Sequence, residues 1–110
     1  MPAGPFAHVC MVVKNLEVAV EDWTKILSVL DPGQLKDPIV KYDSFSSGAD
    51  AGMRWATFVS HTGTEIQFIQ PAPGTPLGAR LEQIGEHVHH LCFTTPDVPG
   101  ALAQLSAKGI

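Results

Sequence analysis

The chain has 110 residues, of which 45% are hydrophobic and 16% charged, and these values are typical of one small folded domain. Its net charge of -4 and its seven scattered Lys and Arg residues argue against a nucleic-acid-binding or anionic-membrane surface. No apolar run approaches the length of a membrane span, and the N-terminus lacks the basic and apolar regions of a signal peptide. We therefore expect a cytoplasmic protein.

The first predicted element is a strand that leads into a helix. Because side chains alternate along a strand, Val9 and Met11 point to one side and His8 and Cys10 to the other. Asn15 is a candidate helix N-cap. The helix that follows has apolar residues at helical spacing, and these are Leu16, Ala19, Val20, Trp23, Ile26 and Leu27.

Three further strands are predicted, at residues 39–45, 53–59 and 64–70, with a turn at His61 between the last two. The proline-rich segment PAPGTP, residues 71–76, is expected to stay outside the sheet as a linker. A short helix is predicted directly after it, in LGARLEQIG. The first part of the chain is thus a βαβββ module.

The strand–helix unit at the start of the chain recurs near its end. His8 to Trp23 aligns with residues 90–105 at a constant offset of 82 residues, so that His90 repeats His8 and Cys92 repeats Cys10. Asp97 takes the capping position of Asn15, and Gly109 is expected to end the second helix. We therefore predict an α+β fold in one domain. It comprises a first module over 6–70, a linker with a short helix over 71–86, and the start of a second module over 87–110 that lacks its last three strands.

The alternation of side chains along the predicted strands indicates a candidate site. The helix should cover Val9 and Met11, which leaves His8 on the opposite, concave face, and the same rule puts Gln67 and His90 there. Two imidazole nitrogens and an amide oxygen suit a borderline divalent cation with open positions for a substrate. The sequence therefore predicts that His8, Gln67 and His90 converge on a metal.

Other polar and reactive side chains have more ordinary interpretations. We expect His89 to point towards the helix side or a subunit contact, and His87 to lie in the loop before the strand. Glu65 shares the concave face with Gln67, where it would support the ligands or handle protons; the favoured interpretation is an exposed carboxylate at a strand end. Four more are interpreted as apolar filling or pocket wall: Cys10, Cys92, Met53 and Trp55.

Three segments together resemble the vicinal oxygen chelate (glyoxalase/bleomycin resistance/dioxygenase) superfamily, and most closely its methylmalonyl-CoA epimerases. They are HVCMVVKNLEVAVEDW, TEIQFIQP and GEHVHHLCFTTPDVPGALAQLSAKGI. Gln67 stands four residues before Pro71, and His90 is the second of an adjacent histidine pair, as that family's motifs require. The resemblance implies a βαβββ module of the vicinal oxygen chelate type and covers nearly the whole chain.

That resemblance also implies a function. His8, Gln67 and His90 would be three of four ligands to a divalent ion (Co, Mn, Ni, Zn or Mg). The family's fourth ligand is a glutamate on the last strand of the second module, and this sequence ends before that strand. Three explanations are open: the chain is a fragment or truncated product, which we favour, another subunit completes the site, or the site is degenerate. The chain would form a homodimer and act on an acyl-CoA. It would remove and return the Cα proton of a 2-carboxyacyl-CoA thioester through a metal-stabilised enolate. Neither proton-transfer nor substrate-binding residues are assigned.

Three alternatives remain open. A glyoxalase-like lyase would use a similar metal cradle, as would an extradiol-type dioxygenase, although Gln67 speaks against the His, His and Glu set that the latter needs. A bleomycin-resistance-like protein would bind a small molecule without a metal and without catalysis, and His8 and His90 would then have no role in its function.

Overall fold

The computed structural model describes residues 6–42, 53–60 and 63–110. These described residues form five strands, three α-helices and one 3-10 helix. In chain order these are β1 (Phe6–Val12), α1 (Leu16–Leu30), the 3-10 helix (Pro32–Leu35), β2 (Val40–Tyr42), β3 (Met53–Phe58), β4 (Glu65–Pro71), α2 (Pro76–Ile84), β5 (His87–Phe93) and α3 (Val98–Ala107).

The five strands form one sheet in the order β2-β3-β4-β1-β5. β1 and β4 are parallel, and all other neighbours are antiparallel. The predicted α+β fold and the predicted order of strands and helices are both confirmed. The last residues of the predicted second strand and His61 lie outside the described residues.

Two differences from the predicted elements have local causes. Pro71 was expected in the linker, but it is the last residue of β4 and pairs with Met53 of β3. A strand can end on a proline because only the missing N–H is lost from the ladder there. The 3-10 helix was not predicted; its buried Gln34 amide donates hydrogen bonds to the Thr64 and Phe58 carbonyls at 2.9 and 3.4 Å.

α1 covers one face of the sheet, as its apolar stripe predicts. Its N-terminus is capped by Asn15, whose Oδ1 accepts from the Val18 N–H at 3.1 Å. Gln70 of β4 holds the same turn by accepting from the Leu16 N–H at 2.9 Å. The buried core between helix and sheet consists of Val13, Leu16, Ala19, Leu27, Ala56, Phe58 and Phe68.

The opposite face of the sheet carries a second buried cluster, which positions the candidate site. It consists of Cys10, Val12, Ile69 and Leu81, with Met53, Trp55 and Leu77 packed against it. The alternation along β1 and β4 is therefore as predicted, because the two faces draw on alternate residues. In the described residues no helix has the length and apolar character needed to cross a membrane.

Candidate functional site

The pairing of β1 with β5 brings the duplicated histidines and cysteines together. Cys10 lies opposite His90, and His8 lies opposite Cys92. Directly opposed residues in a sheet point to the same face, so all four side chains lie on the side away from α1.

His8 and His90 make direct contact. Their Nε2 atoms are 3.1 Å apart and their ring centroids 5.2 Å apart, with the rings inclined at 74°. When both imidazoles are neutral, one ring donates this hydrogen bond and the other accepts it. The predicted convergence of these two imidazoles is thus present, at a separation that one ion could bridge with bonds of about 2.0–2.1 Å.

Gln67 lies on the neighbouring strand β4, on the same face of the sheet as Cys10 and His90. β4 pairs with β1 so that Gln67 is opposite Cys10, and Thr57 of β3 is opposite Gln67. The half-buried Gln67 side chain lines a cavity of about 320 Å³ on this face. The lining residues of this cavity are Cys10, Met53, Trp55, Gln67, Ile69, His89 and His90.

The structure corrects the expected direction of His89. His90 pairs with Cys10 but Val88 pairs with Met11, so two steps along β5 match one step along β1. His89 is therefore the extra residue of a β-bulge, which breaks the alternation and turns it towards the cavity instead of the helix side. Its Nδ1 lies 2.7 Å from Nδ1 of His90.

Charge and burial depress the basicity of His89. Desolvation lowers its pKa below the ordinary value, and the positive charges that His90 and His87 carry when protonated lower it further. His87 itself was expected in a loop, but it is the first residue of β5 and lies opposite Val12. Its ring Nδ1 is 2.8 Å from the Gly85 carbonyl, to which it can only donate.

Cys10 forms the floor of the cavity. It is completely buried, and burial raises the pKa of its thiol from 9.0 to about 11. One ligand atom each of Cys10, His89 and His90 lie within 4.8 Å of one another. Sequence alternation assigned Cys10 to this face but missed His89, for which only the adjacent His-His pair was a signal.

The remaining predicted residues take supporting positions. Met53 and Trp55 form an apolar wall of the cavity, as expected. Glu65, opposite His8 in the sheet, is half-buried rather than exposed, and its carboxylate accepts from the Ser60 N–H at 3.2 Å. Within the described residues, the cavity lining contains no carboxylate.

A family model described as the Glyoxalase/Bleomycin resistance protein/Dioxygenase superfamily matches residues 7–110. No curated protein sequence matches the chain significantly.

Solved structures of methylmalonyl-CoA epimerases share the fold. One is a variant of the Streptomyces coelicolor enzyme in complex with 2-nitronate-propionyl-CoA, with 22% identity and a TM-score of 0.62 over 97% of this chain and 73% of that one. Another is the Mycobacterium tuberculosis enzyme, with 18% identity and a TM-score of 0.63 over 99% and 69%. A third is a methylmalonyl-CoA epimerase in complex with methylmalonyl-CoA and NH4+, with 22% identity and a TM-score of 0.62 over 97% and 71%.

Proposed function

The chain belongs to the glyoxalase/bleomycin resistance protein/dioxygenase superfamily, and from that premise we propose that it is a metal-dependent epimerase-like protein. Its substrate class would be a 2-carboxyacyl-CoA thioester such as methylmalonyl-CoA, whose Cα proton it would remove and return. The observation that carries this proposal is the contact between His8 and His90 at 3.1 Å, beside a cavity that His90 and Gln67 line.

The donor set fits a divalent cation. Two nitrogen ligands of a tetrahedral Zn²⁺ lie about 3.3 Å apart, given bonds of about 2.0–2.1 Å, and the two Nε2 atoms are already 3.1 Å apart. Gln67 would add a neutral oxygen from the neighbouring strand. When bound, the cation would act as a Lewis acid towards the oxygens of the substrate.

The residues around this donor set would bind and orient the acyl group. Met53, Trp55 and Ile69 present apolar surface, which excludes water from one side of the cavity and strengthens electrostatic interactions within it. Inversion at a carbon also needs proton-transfer groups on both faces of the planar intermediate. The described lining offers imidazoles and a thiol but no carboxylate, so it supports cation and substrate binding better than proton transfer.

That lack of a carboxylate in the described lining favours one alternative, a non-catalytic small-molecule binding protein of the bleomycin-resistance type. Such a protein would use the apolar wall around Trp55 to hold its ligand, and it would need no cation at His8 and His90.

A homodimer located in the cytoplasm is part of the same proposal. Large apolar side chains on β5 and α3 are exposed in the single chain, including Leu91, Phe93 and Leu102. Several large apolar side chains exposed on neighbouring segments of the chain are typical of a protein–protein contact.

The proposal is tested by metal content and by proton exchange. Protein purified without chelator is expected to carry a divalent ion that is lost in His90→Ala and retained in the matched control His87→Ala, whose Nδ1 hydrogen-bonds the Gly85 carbonyl. Methylmalonyl-CoA in deuterated water is expected to gain deuterium at Cα only with the metal-loaded protein. Metal that binds without any exchange would contradict the epimerase proposal, and ligand binding without metal would favour the binding protein.

A further inference from the structure

The β-bulge in β5 creates a second set of donor atoms beside the proposed site. A regular strand would place only one of two adjacent histidines on the cavity side. Because His89 is the bulged residue, it joins His90 above the buried Cys10, and one ligand atom from each lies within 4.8 Å of the others.

The chemistry of this set differs from that of His8, Gln67 and His90. One sulfur and two imidazole nitrogens are the ligands that Zn²⁺ takes in Cys/His sites, and thiolate ligands select soft cations over Mg²⁺ or Mn²⁺. Binding replaces the thiol proton of Cys10, which leaves to solvent.

We propose that Cys10, His89 and His90 form a distinct binding site for thiophilic cations such as Zn²⁺ and Cd²⁺. A tetrahedral Zn²⁺ would separate its sulfur and nitrogen ligands by about 3.6 Å, given bonds of about 2.3 and 2.0–2.1 Å. The ligand atoms of the three residues are now up to 4.8 Å apart. A shift of about 1 Å in the nitrogen positions, by rotation of the two exposed imidazoles, would reduce this distance to the value for a bound Zn²⁺.

His90 makes the two sites mutually exclusive. It faces His8 through Nε2 at 3.1 Å and His89 through Nδ1 at 2.7 Å. A neutral imidazole has one lone pair in the ring plane, so it can ligate through only one of these nitrogens at a time. A thiophilic cation held through Nδ1 would therefore displace a cation held through Nε2. This consequence rests on the proposed function, whereas binding at Cys10 does not.

Cd²⁺ is the probe, because a thiolate–cadmium bond has a charge-transfer absorption in the ultraviolet. Titration of the metal-free protein is expected to produce this band in the native chain and in Cys92→Ser and His8→Ala, and to lose it in Cys10→Ser. Loss of an outer partner of a ligand typically weakens metal binding about 10- to 100-fold. We therefore expect His89→Gln, which removes a direct ligand, to weaken Cd²⁺ binding at least about tenfold.

Three outcomes would overturn the proposal: no band in the native protein, a band that depends on Cys92, or a Cd²⁺ affinity that His89→Gln leaves unchanged. Because His89 is exposed, its variant tests the site even if Cys10→Ser fails to fold. If the protein gives the Cd²⁺ band but does not exchange the Cα proton of methylmalonyl-CoA, the result supports this site and contradicts the proposed epimerase activity.

Discussion

Cys10 combines complete burial with a position at the floor of the cavity. Burial disfavours the charged thiolate, and it raises the pKa of this thiol to about 11. A pKa of about 11 leaves about one thiol in a thousand ionised at pH 8. Cys10 is therefore a poor nucleophile unless a metal replaces its proton.

We expect Cys10 to be alkylated far more slowly than the half-buried Cys92. Iodoacetamide at pH 8, followed by mass spectrometry, should give one fast and one slow modification. The slow rate should rise with pH towards 11, because the thiolate is the reacting form. Cys92→Ser should remove only the fast phase, and equal rates for the two thiols would contradict the expected protection.

At the scale of elements, α1 and α3 share a capping mechanism but differ in how they pack. Asn15 caps α1, and Asp97 caps α3 by accepting from the Gly100 N–H at 3.0 Å. α1 buries three residues against the sheet, whereas none of the residues of α3 is buried. Most of the stability of a helix in a protein comes from such packing. The cap of α1 should therefore contribute more to the global free energy of unfolding than the cap of α3.

We expect Asn15→Ala to lower the free energy of unfolding by about 1 kcal/mol, since it removes a cap from a helix that belongs to the core. Asp97→Ala should change global stability less and should instead speed amide hydrogen exchange within α3. Urea denaturation and hydrogen exchange measure the two effects. Asn15→Asp, which keeps an accepting oxygen, is the matched control, and equal global losses for the two alanine variants would contradict this difference.

At the scale of the whole molecule, the sheet ends in an exposed apolar edge. β5 is its last strand, and Phe93 on β5 is 63% exposed and Leu102 on α3 62% exposed. The other large exposed apolar side chains of these two elements are Val88, Leu91, Val98 and Leu105. Open strand edges and large apolar patches favour association with another chain.

We expect the native chain to self-associate through this surface, and Leu102→Glu to shift it towards monomer. A buried carboxylate without a partner is costly at an interface, whereas it is harmless on an exposed helix. Val29→Glu on α1, at a side chain that is 79% exposed on a different helix, is the matched control. Sedimentation analysis over a range of concentrations measures the change, and a native protein that is monomeric throughout would contradict it.

Much of the site followed from local patterns. The caps at Asn15 and Asp97 and the alternation along β1 and β4 depend on residues close in the chain, so the sequence predicts them directly. The strand–helix repeat is also visible in the sequence, as two similar segments 82 residues apart. These patterns placed His8, Gln67 and His90 on one face, and in the structure His8 and His90 touch while Gln67 lines the adjoining cavity. The assignment of these three as metal ligands stays a prediction.

Local patterns in the sequence were therefore enough to predict the strands and α-helices, the two faces of β1 and β4, and the meeting of the two duplicated histidines. Three features emerged only in the folded chain: His89 also faces the cavity, Pro71 completes β4, and the buried Gln34 lies in a 3-10 helix. The reason is that a bulge is a mismatch in step between two paired strands. Each strand alone keeps its alternation, and the mismatch arises only when β1 and β5 are placed side by side.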